Sequence, residues 1–488
     1  MRATPRAGNP HSSTGAWARP RDQEANMRRH AIAVATAAIL AVGCGQYPGV
    51  HDRAVREGRI AEGQTGLTSP TEAGAASAPA APSVGSGTAA GTAGSTGAAA
   101  GSTAGTTDGG GSTTTGQGAG ATGGGTSTGV TPTTIKLGLH APLTGAAPLK
   151  AESFNRGKDA YWLKGDDGKP VEIHGRRVEV VFQDDQYNPS HARAVCQQMA
   201  EQQQVFLLVG GGGTDQIQSC GQYAASRGIP YVSVGTTEVG LGQLPTYFAV
   251  TMSYADQAPM LAQYIRANQS AFGWNGETDR VAVVATSTPN FSDAVQAFQQ
   301  AMPGVKVIRP SKNDRGSGMA AQLCTGTVKN YDVVFPLTSP TYFLEMAGAS
   351  KCNPQYAGVG ITMGLNQVAG VGCQTGGMAN ARFFSPAPAF ADSSEYDPVF
   401  RQAGGQDDVE FLLWGLWQSI HQLLEQAGPD LTREGFIQSS TSATIRHRVF
   451  PDAAYSPGNH FGAKQVSVLR ADCASGQFVT EDAFVSSF

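Results

Sequence analysis

The sequence predicts an α/β protein whose parallel sheets carry helices on both faces, arranged as two successive lobes. Two observations carry that prediction. Short apolar strands alternate with helical segments from Thr133 onward, and the same rhythm restarts near Arg280. Cysteines also recur in equivalent places of the two halves, flanking a buried-type strand in each. Strand–helix alternation favours a parallel sheet, because parallel neighbours need a long crossover connection, usually a helix.

The first half reads in order. Residues 135–140 form a short apolar strand, and Pro142-Leu143-Thr144-Gly145 is a turn. Residues 155–163 read as a helix with Tyr161 and Trp162 as apolar bulk, and 177–182 as a strand running into Asp184-Asp185. Asn188-Pro189-Ser190 opens a helix through Gln202, with Pro and small polar residues in N-terminal places. Residues 205–209 are a buried-type strand entering Gly210-Gly211-Gly212-Gly213; a helix over 215–226 and a strand over 229–234 follow.

In the second half, strands are predicted over 280–285, 305–308, 332–337 and 356–359. The helices between them span 292–301, 319–328 and 340–349. A later helix covers 410–427.

Upstream of Thr133 the chain has a different character. Met27-Arg28-Arg29-His30 is a short basic start, residues 31–42 are apolar, and Ala41-Val42-Gly43-Cys44 ends the run. This order predicts a secretory signal, too short for a stable bilayer span, in which Cys44 is lipidated. Ala41 stands where a lipoprotein signal prefers Leu, and ordinary cleavage with Cys44 incidental is the alternative. Residues 1–43 are thus a leader, and 44–132 a tether. From Ala73 to Ile135 the tether is almost wholly Ala, Gly, Ser, Thr and Pro, which offers too little apolar surface to offset the entropy of ordering it. A flexible coil of about 60 residues reaches roughly 40 Å end to end. Gly118–Gly123 and Gly125–Gly129 copy a dinucleotide fingerprint and a nucleophile elbow, but neither follows a strand or opens a helix, so they carry no function.

The formal charge of -4 suggests neither a nucleic-acid binder nor a polybasic membrane binder. Beyond Cys44, six cysteines remain, an even number that reads as disulfides in an oxidising compartment. Cys196 and Cys220 flank the 205–209 strand, Cys324 and Cys352 the 332–337 strand, and each pair is expected to bond. Cys373 and Cys473 are left as the third pair; buried free thiols are the alternative reading. There is no C-x-x-C pair and the histidines are scattered, so neither a metal site nor a cofactor is expected.

Several stretches resemble the type I periplasmic binding proteins of branched-chain amino acid uptake. They are Ile135-Lys136-Leu137-Gly138 with Pro142-Leu143-Thr144-Gly145, residues 178–186 with Asn188-Pro189, residues 209–214, Ile229-Pro230-Tyr231-Val232-Ser233, Gly235-Thr236-Thr237, and 281–285 with Phe291. The 410–427 helix followed by Asp430-Leu431-Thr432-Arg433 continues the likeness, which runs over nearly all of 133–488. It implies two doubly wound, Rossmann-like lobes joined by a hinge of three crossings. The first lobe would hold 133–253 with about 382–455, the second 254–381 with about 456–488.

Open α/β sheets bind ligands beyond the carboxyl ends of their strands. The 205–209 strand leads there to glycine N–H groups and a helix start at Thr214 and Asp215, which suits a carboxylate. The 229–234 strand leads to the hydroxyls of Thr236 and Thr237. The resemblance implies that Gly213, Thr214, Gly235 and Thr237 hold the carboxylate and amino ends of an amino acid. It further implies that Phe291 and Tyr342 face them from the other lobe. A tight turn, a threonine helix cap and core packing are the respective alternatives. Thr375-Gly376-Gly377-Met378 resembles a stretch in which amino-acid binders of the family often place a glutamate where Gly376 stands. That missing charge opens the ligand class to carboxylates or amides with an apolar body, with Glu238 as a possible substitute.

The function so implied is a lipid-anchored, extracytoplasmic solute-binding component of an ABC importer. It would be a non-enzymatic monomer at the outer face of the cytoplasmic membrane, with permease subunits as partners. A ligand sensor on the same fold is the alternative. Asp184 and Asp185 are the only hint of acid–base chemistry, and adjacent carboxylates at a strand end are more often a turn or cap.

Overall fold

The computed structural model describes residues 127–488, apart from Asp166 and 311–313. The leader, Cys44 and nearly all of the tether lie outside the described residues.

The first lobe is built on a six-stranded sheet. Its strands are β1 (Thr134–Ala141), β2 (Glu172–Ile173), β3 (Arg176–Asp184), β4 (Leu207–Gly210), β5 (Tyr231–Ser233) and β6 (Tyr247–Ala249), in the order β2-β3-β1-β4-β5-β6. All pairings are parallel except the β2–β3 edge. Side chains alternate across a strand, and both faces are buried. Ile135, Leu137 and Leu139 join one core cluster with Leu207 and Val209, whereas Val205 and Leu208 join the other. Helices α1 (Ala151–Asp159), α2 (Pro189–Glu201) and α3 (Thr214–Ser226) connect these strands. Asn188 caps α2 by accepting the His191 N–H, with Pro189 in the first turn, as the sequence pattern indicated. A single π-helical turn, Ala160–Lys164, follows α1.

The second lobe holds α4 (Tyr254–Ala267), β7 (Val281–Ala285), α5 (Ser292–Ala301), β8 (Lys306–Ile308), α6 (Ser317–Leu323), a small hairpin of β9 (Cys324–Thr325) and β10 (Val328–Lys329), β11 (Val333–Leu337), α7 (Pro340–Ala349), β12 (Gln355–Val359), α8 (Asn366–Thr375) and β13 (Arg382–Ser385). The helix expected through Val328 stops at Leu323, because the chain turns at Gly326 with φ +64° and pairs back on itself.

The chain then returns to the first lobe for α9 (Asp408–Gln426), α10 (Arg433–Ser440) and the short pair β14 (Thr444–Ile445) with β15 (Ala453–Ala454). It ends in the second lobe with β16 (Val466–Asp472) and β17 (Gln477–Val485). The second sheet runs β17-β16-β13-β12-β11-β7-β8, parallel except where β16 meets β13 and β17.

The chain crosses between the lobes three times, after β6, after β13 and before β16. Because β13 pairs with β12 in the second sheet, the middle crossing follows Ser385 rather than preceding Arg382. Phe461 still bridges to Ala249 of β6, so the last crossing falls after residue 461 rather than near 456.

Three disulfides join Cys196 to Cys220, Cys324 to Cys352 and Cys373 to Cys473, with Cα separations of 5.9, 5.6 and 5.1 Å. These are the pairs named from the sequence. The first lies in the core between α2 and α3, with His140 beside its sulfurs. The His140 ring in turn bonds the buried Asp185 at 2.8 Å and the Tyr231 hydroxyl at 2.7 Å.

Candidate functional site

The site lies where the carboxyl ends of the two parallel sheets face each other. On the first lobe, the loop after β4 ends at Gly213, the N-cap of α3, with φ +76°. That positive φ is one that glycine adopts without strain, and a Cβ there would also crowd the Gln216 side chain. Thr214 follows, its side chain close to the Tyr254 hydroxyl at the start of α4. The loop after β5 carries Gly235, with φ +103°, then Thr236 and Thr237, both buried. The Thr236 carbonyl accepts the Tyr254 N–H at 2.8 Å. Among the described residues its hydroxyl has no partner, although it is only 6% exposed.

Thr237 is committed differently. Its hydroxyl donates to Asp293 Oδ2 at 2.8 Å, and the Glu238 N–H donates to the same oxygen at 3.0 Å. Asp293 stands in the first turn of α5, so these two bonds cross between the lobes. A further crossing runs from the Thr341 hydroxyl, in the first turn of α7, to the Ala146 carbonyl at 2.9 Å. Phe291 stacks on Tyr254 with ring centroids 6.2 Å apart and planes 16° apart. The Tyr254 hydroxyl also sits beside Gly360 in the loop after β12; a Cβ on Gly360 would be 3.2 Å from it.

The structure therefore brings Thr214, Thr236 and Phe291 together around Tyr254 and ties Thr237 across to Asp293, with Gly213 and Gly235 shaping the two first-lobe loops. Tyr342 behaves otherwise: its hydroxyl donates to Asp314 of its own lobe at 2.9 Å. Tyr254 and Asp293 were missed from the sequence. Asp293 lies two residues past Phe291, and Tyr254 directly follows the cap residue Ser253, whose hydroxyl accepts the Asp256 N–H. Neither position has a distinctive local pattern, and it is the crossing of lobes that gives both their place.

Gly376 needs a correction. It is the left-handed C-cap of α8, and the adjacent Thr375 packs against Gly348 in the last turn of α7. The lobe-crossing Thr341 is seven residues earlier, roughly 10 Å along that helix. A missing carboxylate at Gly376 therefore says nothing about ligand charge. The carboxyl groups that do surround the site are Asp293, Glu238 and Asp215. Burial raises Asp215 above the usual carboxylate range. The nearby Tyr187 is pushed up to about 12 by burial and by the charges of Asp215 and Asp185.

Asp184 and Asp185 do structural work. Asp184 accepts N–H groups of Leu143, Thr144 and Gln186 and the Thr144 hydroxyl, tying the Pro142–Gly145 turn to the end of β3. Burial alone would raise its pKa, but those hydrogen bonds leave it below the ordinary value. A surface cavity of about 240 Å³ lies elsewhere, between the π-helical turn and the second half of α9. It is lined by Tyr161, Gln418, His421 and Arg446, among others, and shares no residue with the cleft.

No curated protein matches the sequence. Solved structures do match the fold. A fatty acid ABC transporter substrate-binding protein from Thermomonospora curvata superposes with a TM-score of 0.59 at 17% identity, covering 74% of this chain and 94% of its own. A solute-binding protein from Rhodopseudomonas palustris BisB5, solved with 3,4-dihydroxybenzoic acid, gives 0.58 at 15% identity, with 73% and 98% covered. A leucine-binding protein from Thermotoga maritima gives 0.58 at 14% identity, with 72% and 98% covered. The sequence profile of the periplasmic binding proteins matches residues 134–477. Two doubly wound lobes joined by three crossings, together with that match over most of the chain, make this protein a member of the periplasmic binding protein family, with the type I fold.

Proposed function

We propose that the protein is the extracytoplasmic solute-binding component of an ABC importer. It is held at the outer face of the cytoplasmic membrane by a lipid on Cys44 and delivers its ligand to permease subunits. The ligand is a small amino-acid-like molecule, carboxylate or amide that enters between the lobes. One observation carries this reading: residues from both lobes converge on Tyr254, and the Thr236 hydroxyl is left there, buried and without a partner. A buried hydroxyl with no hydrogen bond is costly, which a ligand atom would relieve. Phe291 and Tyr254 supply an aromatic wall for an apolar body. The named ligands of the structural relatives, a fatty acid, a dihydroxybenzoate and leucine, share a polar head on an apolar body, which supports the same class.

A thermal-shift screen of the full chain against amino acids, aromatic acids, short amides and polyols tests this. A ligand that binds only the folded state at 100 times its Kd adds about 2.7 kcal/mol and raises the melting point. Thr236→Val and Phe291→Ala should each reduce that rise. If no compound shifts the transition, or both variants respond as wild type does, the cleft is not the site.

A further inference from the structure

Asp293 does more than bridge the lobes; it fills donors that an anionic ligand would need. The Thr237 hydroxyl has one proton to donate, and it goes to Asp293 Oδ2; its oxygen meanwhile accepts the Val239 N–H at 3.2 Å. The Glu238 N–H, the next donor along the loop, goes to the same carboxylate oxygen. These two donors are thus satisfied by a carboxylate of the protein itself, which leaves the Thr236 hydroxyl as the unpartnered polar group of the loop. The Asp293 carboxylate has room for more: Oδ2 accepts two bonds and Oδ1 one, from the Ala294 N–H at 2.8 Å. An ionised carboxylate offers about four acceptor sites, so one remains on Oδ1. Glu238 adds a second acid beside it, its own Oε1 accepting the Ser253 hydroxyl at 2.9 Å. One residue before Thr237 in the same loop, the Thr236 hydroxyl is buried and unpartnered among the described residues.

Resting on the reading of the cleft as the ligand site, we propose that Asp293 sets the ligand's charge. It holds the Thr237 and Glu238 donors and turns its remaining acceptor site to the cleft. The head group selected is one that donates an N–H, an amide or an amine, and the matching bare carboxylate is rejected. An entering carboxylate would meet like charge and find these donors taken. An N–H donor would find the Asp293 oxygen waiting and the Thr236 hydroxyl free to bond its other side.

The test uses pairs that share a body and differ in the head: benzamide with benzoate, isobutyramide with isobutyrate, phenylacetamide with phenylacetate. Each is titrated calorimetrically into the full chain. Wild type should bind the amide member at least tenfold more tightly than the carboxylate. Asp293→Ala should improve the carboxylate at least tenfold and weaken the amide, whereas Asp293→Asn, which keeps an acceptor for Thr237 and Glu238, should keep amide binding. Wild type that binds a carboxylate as tightly as Asp293→Ala does overturns the proposal. A ligand-free readout covers the case in which no pair binds. Amide exchange at Glu238 should accelerate at least tenfold in Asp293→Ala and little in Asp293→Asn; unchanged exchange in both overturns the proposal. Loss of binding in Thr236→Val and Phe291→Ala, alongside no charge selectivity in the Asp293 variants, would refute this inference and leave the cleft reading intact.

Discussion

A histidine at the edge of the first lobe makes the folding stability of this molecule depend on pH. Burial pushes His447 down to about 4, tempered by the neighbouring Asp452 charge. Its ring contacts the Ser419 hydroxyl at 3.3 Å through Nε2, while Nδ1 has no partner among the described residues. Between about 6.5 and about 4 the unfolded chain takes up a proton that the folded one refuses. Stability from this residue is therefore full above pH 6.5 and falls as the pH drops through that window. Asp184, held below its usual value by its hydrogen bonds, works in the same direction but at lower pH: its contribution is lost as acidity approaches its folded pKa. Urea midpoints at pH 7 and 4.5 should differ clearly in wild type, and the difference should shrink in His447→Gln. Equal losses in the two proteins would exclude His447 as the cause.

At the scale of elements, α9 holds the first lobe together. Trp414 and Trp417 are fully buried on it, and Trp414 donates its indole N–H to Asp397 at 2.9 Å. Gln418 donates to the same carboxylate, and Arg448 lies 3.3 Å from it, so a fully buried acid is matched from three sides. Arg156 of α1 pins the helix start through Asp407 and Glu410. Trp414→Ala removes a large core side chain and one of the Asp397 donors. It should cost about 3–5 kcal/mol, read as a fall in the denaturant midpoint, with Trp414→Phe costing less. A midpoint within the error of wild type would show that the lobe does not depend on this contact. The run of aromatic and aliphatic residues in 410–427 made the helix legible in the sequence, as did the Asn188-Pro189 start of α2. The β9–β10 hairpin was not legible, because Gly326 makes the only clear break in an otherwise helix-compatible run.

For the whole molecule, the two lobes and the strand–helix order could be read directly. Their interleaving came only through a family likeness, since no local pattern announces that residues 408–461 return to the first lobe. The candidate site was legible to the same degree: strand-end loops with Gly and Thr could be found by pattern, but Asp293 becomes part of it only through tertiary approach. The misplacement of Gly376 has the same origin, a short glycine-rich match that ends up capping a helix. The proposed membrane attachment is likewise tested on the whole chain. Cys44→Ala should leave the protein unprocessed or release it from the membrane fraction, read by fractionation and by mass of the mature N-terminus. A variant processed and retained as wild type is would remove the lipid anchor from the proposal.

The three crossings have a consequence for how the chain reaches this state. Ser127 bonds the Leu431 carbonyl, 304 residues away, and Arg433 bonds the carbonyls of Val205 and Phe206. The first sheet therefore waits for α9 and α10, and the second waits for β16, which follows β13 by some 80 residues. Closing such long loops delays the contacts that reward it and slows folding. A chain emerging from its N-terminus has no completed lobe until residues 408–440 are present for the first and 466–472 for the second. For an exported chain, as proposed above, that would keep the polypeptide threadable through a narrow channel until the far side holds enough of it to fold.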